Sequence, residues 1–68
     1  MRMKDIEIGK TYWTRPRKHK GLTVEPYQVI VTAKFAEILH CTVLRDGTTE
    51  VVYFPRELTE SSTVGWLN

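Results

Sequence analysis

At 68 residues, with a formal net charge of +2, 41% hydrophobic and 10% aromatic residues, the chain reads as one small folding domain rather than a disordered or low-complexity segment. Cys41 is the single cysteine, which excludes an internal disulfide, and no Cys-x-x-Cys or paired-histidine spacing offers a zinc site. No stretch reaches the roughly 18 apolar residues of a membrane span, and the charged start MRMKDIEIG lacks the apolar run of a secretion signal, so a cytoplasmic protein is expected.

The first expected strand begins with Ile6 and Ile8 alternating with charged residues, passes Gly9, and continues through the β-prone Thr11, Tyr12, Trp13 and Thr14 until Pro16 stops it. Residues 15–26 follow without apolar periodicity and with Pro16, Gly21 and Pro26 inside them. They are expected to form a long loop, with Leu22 and Val24 pinning its far part to the core. Residues 27–33, YQVIVTA, are β-branched and aromatic and predict a second strand. A tight turn is expected near Phe35 and Ala36, although Phe35, Ile38 and Leu39 also fall at helical spacing.

Residues 38–44 and 49–54 flank Asp46-Gly47, a dipeptide suited to the two positive φ angles of a type I′ hairpin turn. A two-residue turn there pairs His40 with Tyr53, Cys41 with Val52 and Leu39 with Phe54. Leu39, Cys41, Val43, Val52 and Phe54 then form a core face, and His40, Thr42, Val51 and Tyr53 an outer one. Pro55 ends the fourth strand and starts one 3₁₀-like turn, with fixed φ at its first position. Residues 63–67 return to β character and are expected to close the sheet, Val64 and Trp66 sharing a face.

This order of elements predicts an all-β fold of five short strands with one 3₁₀ turn before the last, and it resembles an SH3-like small barrel. The segments IEIGKTYW and DGTTEVVYFPRELTE resemble the opening and closing parts of small SH3-like proteins of bacterial or phage type. The resemblance spans nearly the whole chain. Peptide-binding SH3 domains carry an Ala-Leu-Tyr-Asp-Tyr stretch and paired tryptophans, and neither occurs here, which disfavours polyproline recognition. Relatives of the same architecture bind nucleic acids, ribosomal partners or modified side chains, so function has to be argued from sites.

The charge supplies the first site. Residues 1–34 carry eight Lys or Arg against three acids, net +5, while residues 35–68 carry two against five, net −3. Such polarity suits a polyanion, or equally a head-to-tail contact between copies of the chain. Arg15, Arg17, Lys18 and Lys20, with Lys10 nearby, are the candidate phosphate contacts, and Trp13 or Tyr12 a candidate stacking platform; the competing reading is a solvated loop beside core aromatics.

His40 and Cys41 look like a thiol dyad, but successive strand side chains point to opposite faces, so neither activates the other. Ser61 and Ser62 have no base near them in sequence, and no Gly-rich phosphate loop, His-Glu-x-x-His motif or scaffolded carboxylate pair is present. No catalytic residue, metal, cofactor or small-molecule substrate is therefore expected. Trp66 is read as a core plug or an interface anchor. A domain this small has a marginal core, and association with another subunit is a plausible stabiliser. The leading expectation is a noncatalytic interaction module, an adaptor or modulator that self-associates or binds a protein through His40, Thr42, Val51 and Tyr53. The alternative is a nucleic-acid-binding protein that uses the basic stretch 15–20.

Overall fold

The computed structural model describes residues 1–60. The chain is all-β, with seven strands among these residues: β1 (Thr11–Thr14), β2 (Arg17–His19), β3 (Leu22–Val24), β4 (Gln28–Phe35), β5 (Ile38–Val43), β6 (Glu50–Tyr53) and β7 (Leu58–Thr59). Two 3₁₀ turns, Met3–Asp5 and Pro55–Glu57, complete the regular structure. Five strands form one antiparallel sheet in the order β6-β5-β4-β1-β7, and β2 and β3 form a separate ribbon. The expected all-β class is borne out, with a five-stranded antiparallel sheet whose last strand lies beside the first. Its last strand is Leu58–Thr59, directly after the 3₁₀ turn. The expected strand at 63–67 and the reading of Trp66 lie outside the described residues.

The first strand is shorter than expected. Gly9 takes a φ of 91°, a left-handed value that favours glycine. The chain turns there instead of running straight from Ile6 to Thr14. Ile6 is fully buried, whereas Ile8 is exposed. The Tyr12 hydroxyl accepts a hydrogen bond from the Glu7 N–H at 2.9 Å, which ties this turn to the buried side of β1.

The stretch expected as a loop contains a hairpin. Lys20 and Gly21 have φ values of 53° and 80°, and His19 pairs with Leu22 across them, giving the two-residue primed turn that matches strand twist. Leu22 is 72% exposed and does not pin this hairpin to the core. At its base the Thr14 N–H donates to the Tyr27 carbonyl at 2.9 Å, and the Tyr27 N–H to the Thr14 hydroxyl at 3.0 Å. These two bonds satisfy a buried threonine and bring the ends of the ribbon together.

In the β4–β5 pair, Phe35 faces Ile38 across a tight turn at Ala36-Glu37, as expected. A bulge interrupts the ladder: Val31 pairs with Cys41 and Ala33 with His40, so Thr32 has no cross-strand partner. The Thr32 hydroxyl instead donates to the His40 carbonyl at 3.1 Å. The extra residue switches parity along β4. Val29 and Val31 point into the core, whereas Phe35, also odd-numbered, is exposed.

The β5–β6 register is one residue away from the expected one. Leu39 pairs with Tyr53, His40 with Val52, Cys41 with Val51 and Thr42 with Glu50. Asp46 is the cause. Its Oδ1 accepts from the N–H groups of Thr48 and Thr49 at 2.9 and 3.0 Å, and the Thr49 hydroxyl donates to its other oxygen. The Val43 N–H donates to the Thr49 carbonyl at 2.8 Å, closing a five-residue loop rather than a two-residue turn. Tyr53 is therefore buried, while Val52 and Phe54, expected in the core, are 54% and 37% exposed. The core consists of Ile6, Tyr12, Val29, Val31, Leu39, Cys41, Tyr53 and Leu58, with Met1, Met3, Tyr27 and Val51 packed against it.

Those three hydrogen bonds hold the Asp46 carboxyl below its usual range, at about 2. A depressed folded-state value contributes stability that is present above the unfolded value near 3.8 and is lost as pH falls towards about 2. Denaturant midpoints of the wild type and Asp46→Asn are expected to differ at neutral pH and to converge between about pH 4 and 2. A constant gap across that window would show that the carboxylate charge does not hold the loop.

Candidate binding surfaces

Three surfaces emerge from this framework. The first is the β2–β3 ribbon, which carries Arg17 and Lys18 on β2 and Lys20 in its turn, with Arg15 at its foot. Lys18 and Lys20 are exposed, and neither has an acidic partner among the described residues. Lys10 does not join them. It precedes β1 while the ribbon follows it, and its Nζ lies 2.8 Å from Glu7 Oε2. That contact lowers the Glu7 carboxyl and raises the Lys10 amine. Trp13 is half-buried opposite Gln28 and Thr59, and Tyr12 is buried, so of these two rings Trp13 is the accessible one.

The second surface is the outer face of β4, β5 and β6. The expected set His40, Thr42, Val51 and Tyr53 is not brought onto one face. His40 and Thr42 point outward, whereas Val51 packs against the core and Tyr53 is buried in it. The Tyr53 hydroxyl meets the Tyr27 hydroxyl, with the two ring centroids 6.5 Å apart. His40 shares that face with Thr42 and Glu50 towards one end and with apolar side chains towards the other. Ala33, His40 and Val52 form one cross-strand row, and Phe35 and Ile38 the next. The His40 ring meets Phe35 edge-on at 4.8 Å between centroids. Phe35 and Val52 are both more than half exposed. Sequence periodicity missed Phe35 because it did not show the bulge, and missed Val52 because it did not show the loop at Asp46.

The third is a groove of about 270 Å³ lined by Arg15, Pro16, Tyr53, Arg56 and Glu57. The Arg15 Nε–H donates to the Arg56 carbonyl at 2.9 Å, and the Arg15 backbone N–H to the Glu57 carbonyl at 3.1 Å. The Arg56 guanidinium lies 4.7 Å from the centre of the Phe54 ring, a cation–π contact. Glu57 Oε1 accepts the Phe54 N–H at 2.8 Å. Arg56 stands 41 residues from Arg15 in sequence, and nothing in local pattern links them.

Among the described residues, no group of three or more His, Cys, Asp and Glu side chains is placed to hold a metal, and no helix is long and apolar enough to cross a membrane. Comparison with known proteins finds no matching family model, curated protein or solved structure.

His40 and Cys41 lie on opposite faces of β5, the thiol inside. Burial pushes the Cys41 thiol up to about 11, so it is protonated at neutral pH and a poor nucleophile. A thiol-reactive reagent at pH 8 is expected to leave native protein unlabelled and to modify one thiol per chain after denaturation. Rapid labelling of the native state would contradict this burial.

Proposed function

We propose that this chain is a noncatalytic protein-interaction module, an adaptor or modulator that self-associates through the outer face of β4, β5 and β6. One observation carries the reading: two adjacent cross-strand rows, Ala33-His40-Val52 and Phe35-Ile38, leave a phenylalanine and a valine more than half exposed on one face. Contiguous apolar surface of this kind marks interaction sites, whereas singly scattered apolar residues do not. The small core favours the same arrangement, since a second copy adds buried area that a short chain lacks.

Sedimentation equilibrium in the high micromolar range is expected to detect an oligomer. Burying a Val or Phe side chain is worth about 1.5–3 kcal/mol, so Val52→Glu or Phe35→Ser should weaken association at least about tenfold. Leu22→Ser, on the ribbon, should leave it intact. A strict monomer at these concentrations sinks the proposal.

Nucleic-acid binding by the ribbon is the second reading, supported by the display of exposed Lys18 and Lys20 on a two-stranded element apart from the main sheet. A β-ribbon is one of the shapes that a duplex groove admits. Neutralising about four phosphates gives a slope of about −3.5 in log affinity against log salt on duplex DNA. Titrations with duplex and single strands at several salt concentrations should show this slope, with Arg17→Ala and Lys18→Ala flattening it. Absence of binding even at low salt removes this reading.

A further inference from the structure

The groove between β1 and the 3₁₀ turn is lined by two arginines from distant parts of the chain, and we propose that it is a seat for a phosphate oxyanion. The site is independent of self-association through the outer face and shares with the ribbon reading Arg15 and the class of ligand.

Arg15 and Arg56 reach the groove from two elements far apart in sequence, and each is held in place. Arg15 spends one donor, its Nε–H, on the Arg56 carbonyl, and that bond positions its guanidinium beside the 3₁₀ turn. Its other guanidinium N–H groups have no partner among the described residues. Arg56 rests against Phe54 with all five guanidinium N–H donors uncommitted among those residues. Two arginines that line one groove, each with its side chain held by another contact, have less freedom to lose when an anion binds, which lowers the ordering cost.

The number of donors selects the ligand. A carboxylate offers two oxygens and suits one guanidinium fork, whereas a phosphate offers oxygens on several sides and accommodates two forks at once. Glu57 also lines the groove, and its negative charge opposes an anion there. Its Oε1 is already bonded to the Phe54 N–H, so the carboxylate is held as part of the turn. The site as built is therefore weak, and removing this charge should strengthen it. A ribbon that serves only as a solvated loop gives no reason for such a response.

The oxyanion can come from a free phosphate monoester or from the backbone of a nucleic-acid strand. The test is a heteronuclear NMR titration of the full chain with inorganic phosphate, using chloride and acetate at matched ionic strength as controls. Phosphate is expected to produce saturable shifts at the Arg15 and Arg56 Nε–H resonances and at the backbone amides of Arg15 and Glu57. Arg56→Gln and Arg15→Gln should each weaken binding about tenfold, the loss expected for a hydrogen bond to a charged group. Glu57→Gln, which keeps an acceptor for the Phe54 N–H, should tighten it about threefold, the scale of an exposed charge pair. Arg56→Gln alters an exposed side chain outside the core and serves alone if Arg15→Gln does not fold. An oligonucleotide with internal phosphates that competes for the seat identifies a strand as the source; competition by a 5′-phosphorylated nucleotide alone identifies a monoester. Either result supports the seat. It is overturned if chloride or acetate matches phosphate, if the shifts persist in Arg56→Gln, or if Glu57→Gln does not tighten binding.

Discussion

The carboxylate of Asp46 gathers two backbone N–H groups and one hydroxyl, and the pairing of β5 with β6 follows from that gathering. A strand alternates faces at every residue, so shifting the register by one exchanges the whole inward set for the outward one. With Leu39 opposite Tyr53, the tyrosine enters the core and meets Tyr27, while Val52 is left outside beside His40. Both the depth of Tyr53 and the exposure of Val52 therefore rest on one exposed side chain in a loop.

A second constraint is the 3₁₀ turn Pro55–Glu57, which links β6 to β7 and is also where β1 ends. The Arg15 backbone and side chain bond to its last two carbonyls, and the N-terminal amine reaches the Pro55 carbonyl at 3.4 Å. β1 lies between β4 and β7 in the sheet, so it transmits the position of this turn to the foot of the ribbon. The ribbon itself is separate from the main sheet, and the two Thr14–Tyr27 bonds close its base. A cationic hairpin on a closed base is displayed rather than packed, and the arginine at its foot meets the turn instead of solvent alone.

These contacts explain which residues of the candidate surfaces were legible in the sequence. The cations of the ribbon were visible as a charge cluster, because composition alone reveals them. The pairing of Arg15 with Arg56 was not, since it comes from two strands and a turn converging across 41 positions. Phe35 and Val52 were hidden for a different reason. A bulge at Thr32 and a five-residue loop at Asp46 each change the count by one, and alternation amplifies one residue into a change of face. The Asp-Gly pair pointed to the right hairpin with the wrong turn, while the primed two-residue turn formed at Lys20-Gly21, which lacks the usual asparagine or aspartate.

The sequence by itself determined the all-β class, the strands around residues 11–14, 28–33, 38–43 and 50–53, the turn at Ala36 and the 3₁₀ turn at Pro55. These depend on local propensity, on proline's fixed φ and on short apolar runs, all of which act within a few residues. Tertiary structure alone decided the register of β6, the parity of β4, the depth of Tyr53 and the meeting of Arg15 with the 3₁₀ turn. Each depends on where a backbone group finds its hydrogen-bond partner across the sheet, and a sequence read along one strand does not contain that partner.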